Sequence, residues 1–261
     1  MTQRRRILIR ASARGGALVL LGALAGAGTS VCVARPAPEA AESPVTAGRP
    51  VPARTAAAPG PETLRLEKAL KSVRGLRARF VQIRDVALTG ESVEAHGILA
   101  FRPPNRFRLA YTPPENQELV IVGDSLWVVM PSENQAQRYP FRVDAPGSEV
   151  FLLFGGQDQR LSEVFEVVEE PWGTYPLALR LVPRDPEPGY PLEEIRLVVG
   201  PEGFPQRLFF REATGDNVVF EFSRLERNPA DLEKDLALRL PPGIEIIDAV
   251  PPKTEIPVDP R

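Results

Sequence analysis

The sequence predicts a mainly β (α+β) protein, a strongly curved antiparallel sheet of about ten or eleven strands with a few helical segments over one open side. Three observations predict it. From about residue 78 to 224 the chain falls into short runs that alternate with period two, the mark of strands with one buried face. Short turns join most of these runs, which suits an antiparallel meander. Helical signals are confined to the start and the middle of this region, and a sheet of that many strands curls.

The elements follow in order. The stretch Glu62 to Arg84 opens with a helix: Leu64, Leu66, Leu70, Val73 and Leu76 make a broad apolar stripe near period 3.6, and Pro61 suits a first turn. Gly75 ends or bends it. A strand begins near Ala78, with Phe80, Gln82 and Arg84 on one side and Arg79, Val81 and Ile83 on the other. Further strands are predicted at 92–101, 106–111, 118–122, 125–130 and 135–141, with Gly123-Asp124 as a two-residue hairpin turn. Residues 144–161 break the pattern, and the cluster Val150 to Phe154 suits a short helix. Strands resume at 164–169, 177–183, 192–199, 206–212 and 217–224. A sheet so curved either fills its concavity with its own side chains or holds something else there.

The run GILAFRPPNRFRLAYTPP, Gly97 to Pro114, stands out. Phe107, Leu109 and Tyr111 share one face, and Arg106 and Arg108 the other. Arg102, before Pro103, ends an apolar strand with a charge. Trp127 alternates with Val129 in LWVVM, as core or as the wall of a ligand site, and Trp172 sits in a turn at the sheet edge.

The flanks differ in composition. Residues 1–34 have a basic start, an apolar centre and a small-residue end, and read as a secretory signal or an uncleaved anchor. RRILIR leaves Sec or twin-arginine export open. Residues 35–61 hold seven prolines and read as a disordered linker; residues 62–250 suit one domain, and 251–261 form a proline-rich tail. All five basic residues before position 35 are arginines, so the remainder carries 27 basic against 34 acidic residues. That mildly acidic balance argues against nucleic acid. Cys32 is the only cysteine and follows Val31, a poor lipidation context; cleavage at Ala34 leaves no thiol for a disulfide, a nucleophile or zinc. His96 is the only histidine, and no nucleophile elbow or P-loop occurs. No enzyme, metal or cofactor is expected.

Several pieces together resemble one family. A helix runs into Phe80-Val81-Gln82, followed by GILAFRPPNRFRLAY, LVIVGDSLWVVMPSENQ, FLLFGG and ATGDNVVFEFSRLERN leading to LRLPPGIEIID. In kind, order and spacing these resemble the LolA family of periplasmic outer-membrane lipoprotein carriers, over about Leu64 to Asp248. The resemblance implies an incomplete antiparallel β-barrel with a helical lid over an apolar cavity. It implies a monomeric chaperone that takes acylated lipoproteins from an inner-membrane transporter to an outer-membrane acceptor. It implies that Arg102 latches the lid through backbone hydrogen bonds. Phe107, Leu109, Tyr111, Trp127 and Val129 are the candidate cavity wall, and Leu64, Leu66, Leu70 and Val73 the candidate lid. Leucine stands at 109 where the family often has tryptophan. The alternatives are a membrane-attached acceptor of the LolB kind and a lipid- or peptide-sensing regulatory protein with the same half-barrel.

Overall fold

The computed structural model describes residues 59–144, 148–155, 160–184, 186 and 190–248. The predicted signal with Cys32, the linker up to residue 58 and the tail lie outside them. Twelve strands form one sheet: β1 (Leu76–Val86), β2 (Glu91–Arg102), β3 (Arg106–Tyr111), β4 (Glu118–Val122), β5 (Ser125–Met130), β6 (Gln135–Pro140), β7 (Phe165–Trp172), β8 (Tyr175–Pro183), β9 (Leu192–Val199), β10 (Pro205–Glu212), β11 (Asn217–Arg227) and β12 (Glu245–Asp248). Their order is β12-β6-β5-β4-β3-β2-β1-β11-β10-β9-β8-β7. The sheet therefore has two edges, β12 and β7, and does not close. Neighbours are antiparallel throughout, except that β12 runs parallel to β6. β12 is the strand beyond the expected eleven. Its four side chains are all exposed, so no alternation marks it in the sequence.

Gly123 takes φ +61° in the turn of the β4–β5 hairpin, where Val122 pairs with Ser125. Two-residue hairpin turns need positive φ, which glycine adopts freely.

Among the described residues, three short helices accompany the sheet: α1 (Pro61–Lys71), α2 (Leu161–Val164) and α3 (Leu232–Leu236). A 3₁₀ segment, Ser148–Phe154, occupies the predicted break. α1 stops four residues before Gly75, so the expected stripe is only partly helical. Thr63, Leu66 and Leu70 form its buried side. Leu64 is 51% exposed, a correction to its expected place in the lid face. It precedes Leu66 by two residues, about 200° around the helix. Val73 and Leu76 are buried beyond the helix end, Leu76 as the first residue of β1.

One continuous apolar cluster lines the concave face, with Leu66, Leu70, Phe80, Leu99, Phe101, Phe151, Phe154, Phe210 and Phe220 among its members. A second, small cluster joins Ala100 to Leu232 and Leu236. Ala100 has the opposite parity to Leu99 and Phe101, so α3 packs on the convex face.

Candidate functional site: a roofed concave face

Alternation on β2 and β3 builds the wall. Ala95, Gly97, Leu99 and Phe101 are buried on β2, and Phe107, Leu109 and Tyr111 are buried on β3. The two strands pair Phe101 with Phe107, Leu99 with Leu109 and Gly97 with Tyr111. Gly97 is an opening left for a ring: a Cβ there would lie 2.5 Å from Phe80 Cζ. The Phe80 ring meets Tyr111 edge-on, with centroids 5.2 Å apart. Phe107, Leu109 and Tyr111 thus sit side by side in the concave cluster.

The 3₁₀ segment fills the mouth of this wall. Phe151 lies 5.3 Å from Phe107, 5.8 Å from Phe141 and 6.2 Å from Phe101, between ring centroids. Phe154 lies 5.9 Å from both Phe101 and Phe222. The concavity is therefore occupied by the chain's own aromatic groups. Beside them a groove of about 260 Å³ opens at the rim, with Phe204, Phe222, Arg224 and Leu225 among its lining residues.

α1 roofs the same side and is tied down by polar contacts along its length and just beyond its C-terminal end. Gly60 at the N-cap offers no side chain, and Glu169 on the edge strand β7 takes over the task. Its Oε1 accepts from the Thr63 N–H at 2.8 Å and from Thr63 Oγ1 at 2.9 Å. A carboxylate there also complements the helix dipole. Arg65 Nη1 donates to the Gly200 carbonyl at 2.8 Å, and Glu67 Oε1 accepts from the Leu161 N–H at 3.1 Å. Past the C-terminal end, Asn228 Oδ1 accepts from the N–H groups of Arg74 at 2.7 Å and Gly75 at 3.0 Å. The sequence reading missed Glu169 and Asn228, because each acts across more than 100 residues.

Deeper in, the concave face becomes polar. Gln82 and Arg84 follow Phe80 on the inward side of β1 and are both buried. Arg84 Nη2 donates to Glu212 Oε2 at 2.8 Å and to Asp216 Oδ2 at 2.9 Å. Burial raises the Glu212 carboxyl above the usual carboxylate range, against the opposing pull of Arg84. Burial likewise pushes the Tyr111 phenol far up. Arg84 had a sequence signal, since it continues the period-two line of Phe80 and Gln82.

Besides Leu64, three expected site residues lie elsewhere. Trp127 and Val129 have the opposite parity to Leu126 and Val128, which belong to the concave cluster. Both were expected on the cavity wall; both lie on the convex side, where the Arg138 guanidinium stands 5.6 Å from the Trp127 ring. Arg102 shares the parity of Ala100. Its guanidinium pairs with Glu233 of α3, and Arg106 Nη1 meets the other oxygen of the same carboxylate at 2.5 Å. Arg102 was expected to reach lid backbone; among the described residues it makes no such bond.

The family model "Outer membrane lipoprotein carrier protein LolA" matches residues 71–236. A protein of Methylobacillus flagellatus named outer-membrane lipoprotein carrier protein is 27% identical over 184 residues, covering 70% of this chain and 86% of its own. Its namesake in Halorhodospira halophila is 30% identical over 158 residues, covering 60% and 72%. Among solved structures, a LolA superfamily protein of Nitrosomonas europaea aligns at 14% identity with a TM-score of 0.40, covering 67% of this chain and 97% of that one.

Proposed function

Given that this chain belongs to the LolA family, we propose that it is a periplasmic carrier of lipoproteins, holding their acyl chains against its concave face between the inner and outer membranes. The observation that carries this reading is a continuous apolar face covered by α1 and the 3₁₀ segment, with α1 held through a few side-chain hydrogen bonds. Leaving acyl chains in water costs about 0.8 kcal/mol per methylene. Each hydrogen bond that ties α1 down contributes on the order of 1 kcal/mol net. Chains entering along Phe107, Leu109 and Tyr111 displace Phe151 and Phe154 and lift α1, with Leu66, Leu70 and the following Val73, while the sheet stays folded. An inner-membrane transporter loads the carrier, and an outer-membrane acceptor with a better-matched face empties it. The carrier acts by binding alone, as a monomer. Arg102 enters the cycle by holding α3 against β2 and β3, beside the strands that line the site.

Native purification followed by intact mass spectrometry tests the reading. A soluble complex with acylated lipoprotein is expected. Recovery of free lipid or of the empty protein alone, from cells making abundant lipoprotein, would overturn it.

One observation favours the membrane-attached acceptor. Leu88, at the tip of the β1–β2 hairpin, is 93% exposed and available to a bilayer. Mass spectrometry of the mature N-terminus separates the two readings: lipid on Cys32 marks an acceptor, and a chain beginning near Arg35 marks a carrier.

A further inference from the structure

The concave face is graded along its length. The inward side chains of β1 run Leu76, Ala78, Phe80, Gln82, Arg84, so the wall turns from apolar to polar in its last third. At the Gln82 level, the Tyr111 hydroxyl donates to Gln82 Oε1 across the face. One level further, Arg84 is held between Glu212 and Asp216. Thr214 Oγ1 donates to the same Glu212 oxygen at 3.3 Å. The other oxygen, Oε1, is buried without a hydrogen-bond partner. Arg84 and Glu212 are 5% and 2% exposed. Well-packed apolar residues usually serve stability as well as a buried ion pair does. The pair's position, at the polar end of the apolar concave face, suggests another role.

We propose that Gln82, Tyr111, Arg84 and Glu212 form the floor of the acyl-chain site and set the longest chain it accepts. The proposal rests on the carrier reading above. Leu76 belongs to the cluster that contains Leu66 and Leu70 of the roof. From Leu76 to Gln82 the strand advances six residues, about 20 Å. A saturated chain advances about 1.3 Å per carbon, from a zigzag of roughly 1.5 Å bonds, so about sixteen carbons reach the floor. A longer chain would have to part Tyr111 from Gln82 and press on the Arg84–Glu212 pair. Removing a partner from a buried polar group is unfavourable. Up to the floor, each methylene tightens binding by as much as fourfold, the equivalent of about 0.8 kcal/mol. Past it, the gain stops.

The test is a ladder of fluorescent monoacylated peptides from twelve to about twenty carbons, kept below their micellar concentration and titrated against the mature protein. For the wild type, Kd should fall with length and level off or rise past about sixteen carbons. In the triple variant Gln82→Leu, Arg84→Met, Glu212→Leu the break should move to longer chains. Ala95→Leu, which adds bulk opposite Gln82, should move it to shorter chains, and decides the matter if the triple variant does not fold. A wild-type affinity that climbs through the whole ladder, or a break that neither variant moves, overturns the floor. A wild type that binds no acylated probe overturns the carrier reading, and the floor with it.

Discussion

Arg102 and Glu233 join the rim of β2 to α3, 131 residues later in the chain, with Arg106 gripping the same carboxylate. Arg77 extends the clamp, since its guanidinium meets Asp231, Asp235 and Glu226. The first pair is well exposed, at 37% and 52% of the two side chains, and exposed ion pairs contribute only about 0–1 kcal/mol. Leu232, buried against Ala100, is the stronger anchor. We expect Glu233→Ala to lower the unfolding free energy by less than ~1 kcal/mol and Leu232→Ala by about 2–4 kcal/mol, measured by urea titration. If Arg102 serves the transfer cycle through α3, Arg102→Leu and Glu233→Ala should slow lipoprotein release to the same extent. A defect in Arg102→Leu alone would return the arginine to a direct role at the lid.

Phe151 is the plug of the mouth, with three ring neighbours from the wall. Truncating a buried phenylalanine costs about 3–5 kcal/mol. Phe151→Ala should destabilise the fold near the low end of that range, because the segment is short and can relax. It should also raise the binding of an environment-sensitive apolar dye. Dye fluorescence no higher than in the wild type would mean that the plug does not guard the concave face.

Gly97→Ala probes the packing of the wall itself. The new methyl would meet the Phe80 ring and also the Ala110 carbonyl oxygen, which is backbone and cannot step aside. Overpacking of this kind costs about 1–3 kcal/mol. The double variant with Phe80→Leu should recover only part of the loss, as read from thermal melts. Full recovery would show that the ring alone demands glycine.

Two carboxylates should give opposite pH signatures. Glu212 has a folded pKa raised above 4.5, chiefly by burial. Its contribution is fully present below about 4.5 and is lost as pH rises through the folded value. The stability of the wild type relative to Glu212→Gln should therefore fall as pH rises. Asp231 is lowered from 3.8, chiefly by the hydrogen bond from Arg77. Its contribution is present above about 3.8 and is lost on acidification. The wild-type advantage over Asp231→Asn should therefore shrink at low pH. Urea titrations between about pH 2 and 8 check both slopes.

The sequence by itself determined the meander, the break at 144–161 and the common face of Phe107, Leu109 and Tyr111. Those features rest on period two and on local turn chemistry, which act within a few residues. It also carried the family, through the order and spacing of its motifs. It did not decide which side of a strand faces the concavity where both sides are buried. In LWVVM, Leu126 and Val128 face inward and Trp127 and Val129 outward, and the alternation is the same either way. Nor did it decide where the charges go. Arg102 finds Glu233, Arg84 finds Glu212, and Glu169 completes a helix that starts 108 residues earlier. β12 was invisible because its exposed side chains carry no pattern, and its only register comes from β6. These are long-range choices. They depend on how a sheet with two edges curls and on what then comes within reach, which only the tertiary structure decides.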